Sequence, residues 1–149
     1  NNKITTTILI NLAGYKSGGA VKDVIGDNGE AAAYFAKIDS STNGLIYNVE
    51  MSCIQAIATG EDDIILVASN NAERVQDAAY DAVGTAIEIV DSTGGLAIGE
   101  YRDSTGISLT GGLHNHYLYL TNGDTTSGTY GTDEGKIIIR LHGIASDAI

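Results

Sequence analysis

Two histidines at alternate positions, His114 and His116, form the sharpest chemical feature of the chain. On a strand, alternate side chains project from one face, so this pair can share a metal ion. A glutamate a few residues on would complete a metal-binding set, but Tyr117 to Thr121 follow and no acid comes before Asp124. His142 can supply a third imidazole only if the last strand pairs beside this one. A second candidate is the repeat Asp91-Ser92-Thr93-Gly94 and Asp103-Ser104-Thr105-Gly106. Paired aspartates of a protease need Asp-Thr/Ser-Gly without the extra residue, so the repeat reads as two Asx-type turns bounding a hairpin through Leu96 to Tyr101. Gly60-Glu61-Asp62-Asp63 and the acids from Asp124 to Glu134 do not follow the spacing of a twelve-residue calcium loop. No phosphate-cradling glycine loop and no Gly-x-Ser-x-Gly elbow occurs. We therefore expect no enzyme, and no catalytic, cofactor-binding or metal-ligating residue.

Charge narrows the partners. Nineteen acids against eight bases give a formal net charge of −11, and the bases are scattered. Phosphate backbones are bound by clustered Lys and Arg, so neither nucleic acid nor an anionic membrane is an expected partner. No apolar run reaches the ~20 residues of a membrane helix. The sequence starts Asn1-Asn2 without methionine, so the terminus reads as trimmed or incompletely known, with a removed signal peptide left open. Cys53 is the single cysteine and sits in an apolar run, where it reads as a small buried hydrophobe without chemistry of its own.

Elements that must position these residues are mostly strands. Ile4, Thr6, Ile8, Ile10 and Leu12 share one face of an opening strand, with Leu9 apolar on the other. From Leu45 to Ile57 the odd positions are mainly apolar. Further strands are expected at Ile64 to Ser69, Ala86 to Val90, His114 to Thr121 and Lys136 to His142. Between them stand Asp27-Asn28-Gly29, Thr42-Asn43-Gly44, Ser92-Thr93-Gly94-Gly95, Thr110-Gly111-Gly112 and Asn122-Gly123-Asp124, turn signals in a chain with 19 glycines and no proline. After Asn70-Asn71, the spacing of Ala72, Val75, Ala78, Ala79, Ala82 and Val83 predicts one short helix. Glu30 to Lys37 fits a helix or a strand. The pattern predicts a mostly β chain, residues 1–149 as a single antiparallel β-sandwich domain, jelly-roll-like, with one short helix. The polar stretch Asn122 to Gly135 is expected to project and touch a neighbour.

Two stretches, Tyr47 to Val67 and Gly111 to Leu120 followed by Gly135 to Gly143, resemble the small β-sandwich decoration or cement proteins of tailed bacteriophage heads. The resemblance implies a virion structural protein on the capsid surface, commonly a homotrimer, that clamps neighbouring copies of the major capsid protein. It brings no catalytic residue and no cofactor. Two other functions fit the residues: a receptor- or glycan-binding module of a viral fibre, using Tyr117 and Tyr119, and a metal-dependent jelly-roll enzyme built on His114, His116 and His142.

Overall fold

A computed structural model describes residues 2–27, 32–80, 85–145 and 147. Its strands are β1 (Lys3–Asn11), β2 (Val24–Ile25), β3 (Ala36–Lys37), β4 (Leu45–Gln55), β5 (Ile64–Ser69), β6 (Ala86–Asp91), β7 (Tyr101–Asp103), β8 (Tyr117–Asn122) and β9 (Lys136–Ile144). They form two antiparallel sheets, one ordered β1-β9-β4-β7 and the other β2-β8-β5-β6, with β3 also pairing β8. The pairs β1–β9, β2–β8, β4–β7 and β5–β6 nest inside one another. That is one long hairpin wrapped on itself, the double Greek key of a jelly roll.

Alternation in the sequence becomes the interface between the sheets. Ile10 of β1, Val49, Met51 and Cys53 of β4, and Ile137, Ile139 and Leu141 of β9 face Ile64, Leu66, Ala68, Leu118 and Leu120 of the second sheet in one buried cluster. The Cys53 thiol lies inside it, and burial pushes its pKa up. A register shift between Ile46 and Asn48 turns Ile46 inward and leaves Tyr47 exposed, although Tyr47 shares odd numbering with Val49.

The two outer faces differ. Every residue of β5 is buried, because a second cluster of Val24, Ile65, Val67, Tyr80 and Tyr119 covers the outer side of that sheet. The cover is the segment in which the apolar spacing predicts a helix. Among its described residues, 72–80, there is none, and 81–83 lie outside the described part. Its main chain is committed elsewhere: Val24 N–H donates to Ala78 C=O, Asp77 N–H donates to Val24 C=O, and Tyr119 Oη donates to Asn71 C=O. Asp77 also holds a positive φ of 68°, which no helix interior accepts. The short helix is instead α1 (Ser40–Asn43), started by Asp39, whose carboxylate accepts from Ser41 N–H. Of Glu30 to Lys37, the described part forms only β3 at its end, and Asn28-Gly29 lie outside the described residues.

Candidate functional site

The histidine pair is not on a strand. Leu113 and Asn115 both take positive φ (59° and 62°), so the chain turns through this segment and β8 starts only at Tyr117. His114 Nδ1 accepts from Ser40 N–H at 3.1 Å, while His116 Nδ1 lies 3.1 Å from the His114 carbonyl. His142 is on β9, which pairs β1 and β4 and belongs to the other sheet from β8. There its Nε2 lies 3.1 Å from Glu50 Oε2. The expected sharing of one strand face is thus corrected. Among the described residues, no three of His, Cys, Asp and Glu come together to hold a metal.

The Asp-Ser-Thr-Gly repeat is structural at both places. Asp103 accepts from Thr105 N–H at 3.0 Å in an Asx turn, and hydrogen bonds from Thr105 hold its carboxyl below the usual range. Ser92 and Ser104 are both buried and hydrogen-bonded to strand backbone.

Asn122 to Gly135 does not project as a free arm. Tyr130 is buried and its hydroxyl donates to Glu61 C=O at 2.8 Å, which corrects its expected place in an external contact. Glu61 also accepts from Thr126 N–H, and Glu134 accepts from Ala58 N–H and the Thr59 hydroxyl. The signal for this was in the sequence: a tyrosine and three acids spaced along a stretch otherwise made of small polar residues. Beside the loop lies a polar cleft of about 430 Å³ lined by Lys16, Ser17, Gln76, Asp77, Ser127 and Thr129. Among the described residues that line it, no nucleophile is paired with a general base.

Tyr119 is also removed from any surface role, being fully buried. Tyr117 stacks edge-on against Tyr34 at 4.8 Å, with the Lys37 ammonium 5.5 Å from its ring centre.

Among the described residues, the outer face of the β1-β9-β4-β7 sheet remains open. Register places Leu9, Ile138, Ser52 and Tyr101 in one row across all four strands. The next row is Thr7, Arg140, Glu50 and Asp103. Leu9, Ile54 and Tyr101 are each about half exposed or more. Among the described residues, the strands carry on this face three bases, Lys3, Lys136 and Arg140, and two acids, Glu50 and Asp103. Most of the described acids lie elsewhere. A broad, partly apolar face of low charge is a surface that can be desolvated against a partner.

No protein-family model, no curated protein and no solved structure matches the chain.

Proposed function

We propose that the chain is a virion structural protein, a capsid decoration subunit that lies on the outside of the head lattice and binds the major capsid protein. The observation that carries this reading is the asymmetry of the sandwich: one sheet is covered by its own loop, and the other presents an open face low in acid. A jelly roll whose chemistry-bearing residues are tied into turns and straps suits a binding role. Its net charge of −11 favours a position outside packaged DNA, away from the phosphates. The subunit is taken to work as a homo-oligomer.

Sedimentation of the purified chain, alone and with capsid shells of a tailed bacteriophage, tests this. Saturable binding to shells is the expected result. A strict monomer with no affinity for any shell overturns it.

The Tyr34–Tyr117 pair beside Lys37 favours a second reading, a glycan-binding module of a viral fibre, with the exposed Tyr34 ring and the half-buried Tyr117 ring available for stacking. Glycan-array binding that is lost in both Tyr34→Ala and Tyr117→Ala supports that reading over the capsid one.

A further inference from the structure

A strand at a sheet edge presents main-chain N–H and C=O groups that the sheet does not use, and proteins blunt such edges with shortness, bulges, proline or charge. Three of the four edges among the described residues obey this. β2 and β3 have two residues each, β7 has three and carries Asp103, and β6 carries Glu88 and Asp91 and meets a register shift against β5. β1 does not. Its nine residues, Lys-Ile-Thr-Thr-Thr-Ile-Leu-Ile-Asn, run in unbroken register with β9 and include no acid, glycine or proline.

The ladder decides which groups point outward. Ala145 N–H donates to Asn2 C=O, and Leu12 N–H donates to Gly135 C=O. In this register the even-numbered residues of β1 exchange hydrogen bonds with β9. By the alternation of an antiparallel ladder, Thr5, Thr7, Leu9 and Asn11 turn their N–H and C=O groups to the free edge. Their side chains are exposed on the outer face of the sheet, while Ile8 and Ile10 face the core.

We propose that β1 joins two copies of the chain, pairing antiparallel with the partner's β1 around a two-fold axis at Thr7, so that two sheets become one. A two-fold between residues would set core-facing positions opposite exposed ones, so the axis must pass through a residue. Only an odd residue has its hydrogen-bonding groups on the free side, and Thr7 is the centre of the strand. Thr7 then faces Thr7 of the partner subunit, and Thr5 faces Leu9 of the partner subunit. These three positions exchange about six main-chain hydrogen bonds.

The register about Thr7 is self-complementary, which makes a second copy the occupant, and no acid stands in its way. Two chains of net charge −11 repel wherever acids meet, yet neither β1 nor its neighbour β9 contains an acid, and together they hold Lys3, Lys136 and Arg140. The register also sets Lys3 opposite Asn11 of the partner subunit, so the two lysines of the joined strands do not face each other. The result is an isologous dimer, where the resemblance to cement proteins implies a trimer. The pairing does not depend on the virion reading, because it is measured on the purified chain without any shell.

The test is sedimentation equilibrium combined with cysteine cross-linking. The wild-type chain is expected at twice the 15.5 kDa of one copy, more completely at higher salt. Thr7→Pro removes an edge-directed N–H that β9 does not use, and Thr7→Asp sets two carboxylates face to face; both are expected at 15.5 kDa with a cooperative thermal transition. Thr7→Cys is expected to form a disulfide dimer under mild oxidation, since residues facing across such a pair have Cα atoms about 5.5 Å apart. Leu9→Cys is expected not to, because its partner across the axis is Thr5. Native Cys53 is buried and does not compete. Should Thr7→Pro not fold, Thr7→Asp and Thr7→Cys still decide. A monomeric wild type, an oligomer untouched by Thr7→Asp, or faster cross-linking through Leu9→Cys than Thr7→Cys overturns the proposal.

Discussion

Ser92 and Ser104 close the same two-point clamp on strands of opposite sheets. Ser92 N–H donates to Ile64 C=O at 3.1 Å, and Ile64 N–H donates to Ser92 Oγ at 2.6 Å. Ser104 N–H donates to Val49 C=O and Val49 N–H donates to Ser104 Oγ, both at 2.9 Å. The repeated tetrapeptide is thus a device for holding a strand, with Gly94 and Gly106 at φ of 85° and 83° completing each turn.

Removing either hydroxyl leaves a buried strand N–H without its acceptor, which costs about 1–3 kcal/mol. Ser92→Ala and Ser104→Ala are each expected to lower the unfolding free energy obtained from urea denaturation by that much. Thr93→Ala, beside the clamp and exposed, is expected to change it little. Equal effects of all three would remove the clamp from the explanation.

The polar loop depends on Glu134, whose carboxyl is held below its ordinary range by hydrogen bonds from the Thr59 hydroxyl and the Gly131 N–H. A lowered folded-state pKa contributes stability that is present above the unfolded pKa and lost as pH falls through the folded one. Thermal melts should therefore show Glu134→Gln less stable than wild type at pH 7, with the gap closing as pH drops below about 4. Asp63 acts with the opposite sign, because burial raises its pKa and its protonation on acidification favours the folded chain. A gap that widens toward acid pH contradicts the role given to Glu134.

Tyr130 fills the space beside Gly60 so closely that a Cβ on Gly60 would fall 2.1 Å from the ring. Gly60→Ala is expected to destabilise the chain by about 1–3 kcal/mol, the usual result of overpacking. Gly19→Ala has open space around the new methyl and should be close to neutral. Chemical denaturation of the two variants side by side decides.

The strands were legible wherever one face is buried and the other wet. Ile137, Ile139 and Leu141 alternate with Ile138 and Arg140, and the buried set is the one the pattern names. β5 was legible as a run without a break, since it is buried on both faces. The helix expected after Asn71 is absent from 72–80 because alanine spacing reports local preference only, and pairing with Val24 together with the Tyr119 hydroxyl overrides it. Positive φ at Leu113 and Asn115 has no pattern in an apolar periodicity, so the histidine pair reads as strand when it is turn. The open sheet face is a property of register across β1, β9, β4 and β7, which no single segment contains.

The separation of the three histidines has a measurable consequence. His114→Ala, His116→Ala and His142→Ala are each expected to leave the sedimentation profile of the chain unchanged, whereas Thr7→Asp alters it. A histidine variant that dissociates the oligomer while Thr7→Asp does not would place the subunit contact away from β1.

Binding to capsid shells tests the proposed role most directly, measured as saturable co-sedimentation of wild type, Tyr101→Glu and Val75→Glu. Tyr101 lies on the open sheet face, and Val75 lies in the loop that covers the other sheet. The expected result is stoichiometric binding by wild type and Val75→Glu and at least a tenfold weaker affinity for Tyr101→Glu, on the order of 1.4 kcal/mol. No binding by the wild-type chain, or equal loss in both variants, contradicts a decoration subunit that docks through the β1-β9-β4-β7 face.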